Sequence, residues 1–201
     1  ELSLVPAFNA RDVGFDRSLI GAYGHDDRVC SFDSLQALFD IENPDKTAVC
    51  VLVDKEEIGS EGITGMQSGF FDTFMDDVCE VFGVPLKTCY ENSLCLSNDV
   101  AAAFDPNFPE PYDKLNSARL NYGLGICKYT GSRGKSGASD ASAETVARLR
   151  RILDDADVLW QMAPLGKVDA GGGGTVAKYM ANRNIETIDA GVPVLSMHAP
   201  F

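Results

Sequence analysis

Apolar positions along the chain follow two rhythms, one helical and one extended, and the two alternate. In 30–41, Phe32, Leu35, Leu38 and Phe39 fall at helical spacing. In 67–83, Phe70, Phe71, Phe74, Val78 and Val81 form a second helical stripe, stopped by Gly83. The clearest helix spans 141–157, with Val146, Leu149, Ile152 and Leu153 on one face, and 98–104 and 174–182 are also helix-like. Between them lie short apolar runs. Residues 47–53 are largely β-branched and apolar, the pattern of a central strand. Further strands are expected at 93–97, 120–129, 158–161, 185–190 and 192–195, with a weak edge strand at 1–5. Residues 6–24 read as a Gly- and Asp-rich connection, 106–111 as a proline-rich turn and 131–137 as a basic, Gly-rich loop. This order predicts an α/β fold: a mixed, largely parallel sheet with helices on both faces. Phe70, Phe71, Phe74 and Trp160 are expected in its core.

Composition narrows the partners. A chain of 201 residues is one large domain or slightly less than two, and is long enough to bury a sizeable core. Its net charge of −13 argues against nucleic acid, which needs clustered Lys and Arg. No run of 18 apolar residues exists to span a membrane. Six cysteines lack any Cys-x-x-Cys pairing and several sit in apolar runs, which points to reduced thiols and a cytoplasmic setting. The chain opens on Glu1 and stops soon after His198, so both ends read as cut.

Three segments carry candidate metal ligands: Gly24-His25-Asp26-Asp27-Arg28, Asp54-Lys55-Glu56-Glu57-Ile58-Gly59-Ser60 and Ser196-Met197-His198. Glu56 and Glu57 follow an apolar run, so a strand would deliver them to the carboxyl edge of the sheet, where α/β folds bind ligands. Alternation would aim one carboxylate at a metal and its neighbour at a water. The same segment also reads as a solvated turn. Oxygen-rich sites with one or two imidazoles suit zinc, manganese or cobalt. One carboxylate can bridge two ions, and hydrolysis needs a general base that is not itself a ligand. Gly171-Gly172-Gly173-Gly174-Thr175 lacks the Gly-Lys-Ser/Thr ending of a phosphate loop, which argues against nucleotide binding. Its glycines would let main chain approach a site, with N–H groups near Gly174 and Thr175 offered to a substrate carbonyl or carboxylate.

Four motifs then occur in one order: Asp26-Asp27 ahead of Leu35-Gln36-Ala37-Leu38, Glu56-Glu57-Ile58-Gly59-Ser60, Ser97-Asn98-Asp99 with Pro106-Asn107-Phe108-Pro109, and the closing run from Asp189 to His198. In this the chain resembles the aspartyl aminopeptidase family, cytosolic dinuclear zinc exopeptidases that remove N-terminal residues from peptides. The resemblance implies a zinc-exopeptidase-like fold, with 1–15 ending an inserted dimerisation domain and 16–201 forming an incomplete catalytic domain. It implies two divalent ions, most simply Zn2+, a peptide substrate and a homo-oligomer. Asp26 would bridge the metals, Glu57 and His198 would complete one site, Asp99 would bind the other ion, and Glu56 would be the general base. The family's second histidine ligand lies upstream and has no match here, since His25 sits beside the bridging position. Ala101-Ala102-Ala103 stands where many relatives carry Ala-His-Ala. Lys128 stands near a family lysine suited to an acidic substrate side chain, although Lys128, Arg133 and Lys135 also read as solvated charges. The resemblance implies that the isolated 201 residues are inactive. The alternative reading is a non-catalytic relative that binds peptide on the same fold.

Overall fold

The computed structural model describes residues 2–133 and 136–200. A hairpin of β1 (Arg11–Val13) and β2 (Leu19–Gly21) precedes helix α1 (His25–Phe39), followed by α2 (Phe70–Phe82) and α3 (Leu86–Glu91). Strands β3 (Leu94–Ser97), β4 (Ala101–Ala102), β5 (Leu124–Cys127), β6 (Tyr129–Ser132) and β7 (Ser136–Asp140) lead to α4 (Ala143–Asp155). Strand β8 (Trp160–Met162), helix α5 (Ala177–Ala181), β9 (Glu186–Gly191) and β10 (Pro193–Val194) complete the order.

The central sheet runs β3-β9-β5-β8, with β3 and β9 parallel, β5 and β8 parallel, and β5 antiparallel to β9. Ile188 and Ala190 of β9 and Ile126 of β5 are buried with Leu153 of α4, over which Val146, Leu149 and Trp160 pack. A second cluster gathers Phe71 and Met75 of α2, Tyr90 of α3 and Met180 of α5 around Ile185. Ser142 caps α4, its side chain accepting the Thr145 N–H at 3.1 Å. Arg183 ties the helices together: it grips Asp72 at 2.6 and 2.9 Å and donates to the Tyr179 carbonyl at 2.9 Å, while Tyr90 donates to Asp72 at 2.8 Å.

Several expectations need correcting. Residues 47–53 form no strand among the described residues: Val49, Val51 and Leu52 are exposed, and Val53 packs against the second cluster. Apolar composition signals burial, but a strand needs a neighbour's donors and acceptors, and no strand among the described residues pairs with this run. The expected helix at 98–104 is extended instead. Ala101 and Ala103 donate to the Val192 and Val194 carbonyls at 2.9 Å, and Ala101, Ala118 and Ala163 form a small-residue layer. Here tertiary pairing overrides the helix propensity of alanine. On α2 the buried face is Phe71, Met75 and Cys79, while Phe70, Phe74 and Val81 are exposed, so only Phe71 of the three expected core phenylalanines is buried. Ile152 of α4 and Phe32 and Phe39 of α1 are likewise exposed. Trp160 is half-buried, its indole N–H donating to Asp154 at 2.7 Å. Residues 2–5 are not a strand, whereas the connection at 6–24 contains the β1–β2 hairpin. Strands β6 and β7 occupy much of the expected loop at 131–137, of which 134 and 135, including Lys135, lie outside the described residues.

Candidate metal centre

A small apolar cluster under the site explains how distant segments converge. Cys30, Val100 and Val194 are buried together with Val29, Val192 and Met197 packed against them. Asp26 and Asp27 lie just ahead of Cys30, Asp99 precedes Val100, and His198 follows Met197. Packing these apolar neighbours therefore brings three acidic side chains and an imidazole to one place.

The start of α1 supplies the first ligand. Asp27 has extended backbone (φ −125°, ψ 62°), and its Oδ1 accepts the Cys30 N–H at 3.1 Å, the geometry of a helix N-cap. Regular helix begins there, and Asp26 is left just ahead of it with φ −89° and ψ 107°. The Asp26–Asp27 peptide is cis. Asn98 fastens the Asp99 segment to the same helix, donating to the Cys30 carbonyl at 3.1 Å and to Ser34 Oγ at 2.9 Å.

Glu56 and Glu57 do not end a strand, contrary to expectation. They sit on a short 3-10 turn, Glu56–Ile58, flanked by left-handed backbone at Lys55 (φ 67°), Gly59 (φ 86°) and Ser60 (φ 60°). The turn is pinned at the Gly59 carbonyl, which accepts from Gln67 Nε2 at 2.7 Å and Tyr179 Oη at 3.1 Å. A turn rather than strand alternation separates the two carboxylates, leaving Glu56 half-buried and Glu57 exposed.

His198 Nε2 lies 3.0 Å from Asp26 Oδ2 and 3.1 Å from Glu57 Oε1. One donor atom each from Asp26, Glu57 and His198 fit within 4.8 Å of one another, as do those of Asp26, Asp27 and Asp99. Burial, followed by the neighbouring Glu57 carboxylate, raises Asp26 to about 6. Burial and then the charges of Asp189 and Asp27 raise Asp99 to about 9. Glu56 is also raised, by burial and then by Glu57 and Asp26. Carboxylates crowded in this way either hold protons or are balanced by cations. The Asp26, Glu57 and His198 donors, two oxygens and one nitrogen, are the set that zinc accepts.

Asp26, Glu56, Glu57, Asp99, Gly174, Thr175 and His198 all line one cavity of about 440 Å³. Lys128 is not among its lining residues. It forms an ion pair with Asp140, which holds it at the end of the β6–β7 hairpin. The other histidine, His25, turns to the Ile20 carbonyl at 3.2 Å. Three features escaped the sequence reading: Asp27 as a cap, Lys178 in the cavity lining, and Asp189 buried on β9 with Oδ1 unpartnered among the described residues. The available signal for the last was an acid set between Ile188 and Ala190 in the expected strand at 185–190.

The sequence model of the aminopeptidase I zinc metalloproteases (M18) matches residues 1–201. The chain belongs to the M18 family. It is 52% identical over 205 residues to a probable M18 family aminopeptidase 1 of Clostridium acetobutylicum, covering 100% of this chain and 44% of that protein. It is 31% identical over 196 residues to the vacuolar aminopeptidase 1 of Saccharomyces cerevisiae, covering 92% of this chain and 37% of that one. The fold matches the crystal structure of the M18 aminopeptidase from Thermotoga maritima with a TM-score of 0.92 at 46% identity, covering 98% of this chain and 44% of that chain. The chain thus spans about half the length of the curated relatives it matches.

Proposed function

We propose that the full-length protein is a zinc-dependent aminopeptidase that removes N-terminal residues from peptides. The observation that supports this most is the convergence of Asp26, Glu57 and His198 next to Glu56, whose carboxylate meets no hydrogen-bond partner among the described residues. Asp26, Glu57 and His198 would hold one ion, and Asp99 would hold a second together with Asp26 and a histidine elsewhere in the full-length protein. Bound zinc would supply Lewis acidity toward the attacking water and the scissile carbonyl. Glu56 is half-buried with its proton affinity raised, so it is suited to take a proton from water and return it to the departing amine. Gly174 and Thr175 are assigned to contact the substrate through main-chain N–H groups. A non-catalytic peptide binder would have no use for Glu56 beside a ligand set.

Residues 1–15 are assigned to the end of an inserted dimerisation domain and 16–201 to part of the catalytic domain. Likeness to the structure titled as the S. cerevisiae mApe1 dodecamer, with a TM-score of 0.80 at 27% identity, supports a homo-oligomer. Six free thiols support a cytoplasmic setting. The experiment is to incubate zinc-loaded full-length protein with a short peptide and its N-acetylated counterpart. The expected result is release of the N-terminal residue from the free peptide alone, abolished by a chelator and restored by zinc, with no turnover by the 201 residues alone. Equal cleavage of the acetylated peptide, or none of either, would overturn the reading.

A further inference from the structure

Helices α2 and α3 are joined by only Gly83, Val84 and Pro85, a tight helical hairpin. Cys79 lies four residues before Gly83 and Cys89 four residues after Pro85, so each sits about one turn from the connection. Main chain closes both sides of it: the Val84 N–H donates to the Cys79 carbonyl and the Cys89 N–H to the Pro85 carbonyl, both at 3.0 Å. Met75 and Cys79, one turn apart, are buried on the same face of α2, and Cys89 packs against the cluster that contains Met75. The two cysteines thus face each other across the hairpin, with their thiols within hydrogen-bonding reach.

The pair is free and asymmetric. Both thiols are reduced. Ser93 Oγ lies 4.0 Å from Cys89 Sγ but donates its proton to the Cys89 carbonyl at 2.7 Å, so it makes only a marginal contact with the sulfur. Cys79 is buried, and burial followed by Cys89 holds its thiol above the usual range. Cys89 is half-buried, which makes it the thiol that a reagent meets first. Neither residue lines the metal cavity.

We infer that Cys79 and Cys89 are a redox modification site that closes to a disulfide by exchange with a low-molecular-weight disulfide such as oxidised glutathione. The Cys89 thiolate attacks one sulfur of that disulfide and expels the first glutathione thiolate. The Cys79 thiolate then attacks Cys89 Sγ and expels the second. Two protein thiols are oxidised, the small disulfide is reduced to two thiols, and the two protons lost by the protein end on them. While glutathione is reduced the pair stays open, as a cytoplasmic setting requires. Closure fastens α3 to α2 beside Tyr90 and Asp72, the contact through which Arg183 ties in α5.

The test incubates zinc-loaded full-length protein, natively folded, with oxidised glutathione, blocks the remaining thiols and maps the peptides by mass. Trypsin cuts after Lys87, between the two cysteines, so a bridge appears as two joined peptides. The expected result is a loss of two thiols per chain, with the Cys79 peptide joined to the Cys89 peptide and separated again by dithiothreitol. Cys79→Ala should instead keep glutathione on Cys89, and Cys89→Ala should leave Cys79 unmodified. Wild-type protein that retains both thiols, keeps glutathione on Cys89, or joins either cysteine to a different one would overturn the inference.

Discussion

Gly191 closes β9 where main chain from two parts of the site comes together. A Cβ built on it would overlap the carbonyl of Asp99, so the missing side chain fixes where that acid sits. Gly191→Ala must push the Asp99 segment away. In the full-length protein it should lose one of two zinc equivalents, the one assigned to Asp99, while keeping the ion at Asp26, Glu57 and His198. Metal analysis after dialysis checks this, and two retained equivalents would contradict it. Single residues were legible where a motif carried them: Asp26, Glu56, Glu57, Asp99 and His198 were all named from sequence and all line one cavity. Residues whose part depends on three-dimensional neighbours were not. Nothing in the sequence distinguishes Lys178 from any helix-surface lysine, or shows that Asp140 occupies Lys128.

Elements were legible in kind and less so in partner. The helices at 25–39, 70–82 and 143–155 fall where helical spacing put them, and Gly83 ends α2 with φ 65° as expected of a C-terminal glycine. Facing failed more often than existence. On α2 the apolar residues cover about half of the helix, a wider face than the one that is buried, so spacing alone could not pick Phe71, Met75 and Cys79 over Phe70, Phe74 and Val81. The alanines at 101–103 misled because helix propensity is local, whereas their hydrogen bonds to Val192 and Val194 are not. The glutamate pair shows the same limit: its place among the candidate ligands was visible, but the 3-10 turn that separates the two carboxylates was not.

Across the molecule, buried acids couple stability to pH and to metal. In the metal-free chain Asp26 is raised to about 6, Asp189 to about 7 and Asp99 to about 9, in each case first by burial. Unfolded aspartates titrate near ~4, so between that value and the folded ones the native chain holds more protons than the unfolded chain. The stabilisation is therefore present in full below the unfolded value and is lost as pH rises through the folded values. The metal-free Tm should fall between pH 5.5 and 8, and the gain on adding zinc should grow over the same interval as metal replaces protons. Thermal melts at both pH values, with and without zinc, check this. A metal-free Tm that rises would contradict it.

The proposed function gives two adjacent glutamates different chemistry, Glu57 to hold metal and Glu56 to move a proton. Measuring zinc content and peptide hydrolysis together in full-length Glu56→Gln and Glu57→Gln tests it most directly. Glu56→Gln should keep its zinc while hydrolysis falls roughly 10²–10⁴-fold, the usual worth of a general base. Glu57→Gln should lose zinc, because a neutral amide is the poorer ligand. An empty Glu56→Gln site beside a fully loaded Glu57→Gln site would contradict the account and exchange the two roles.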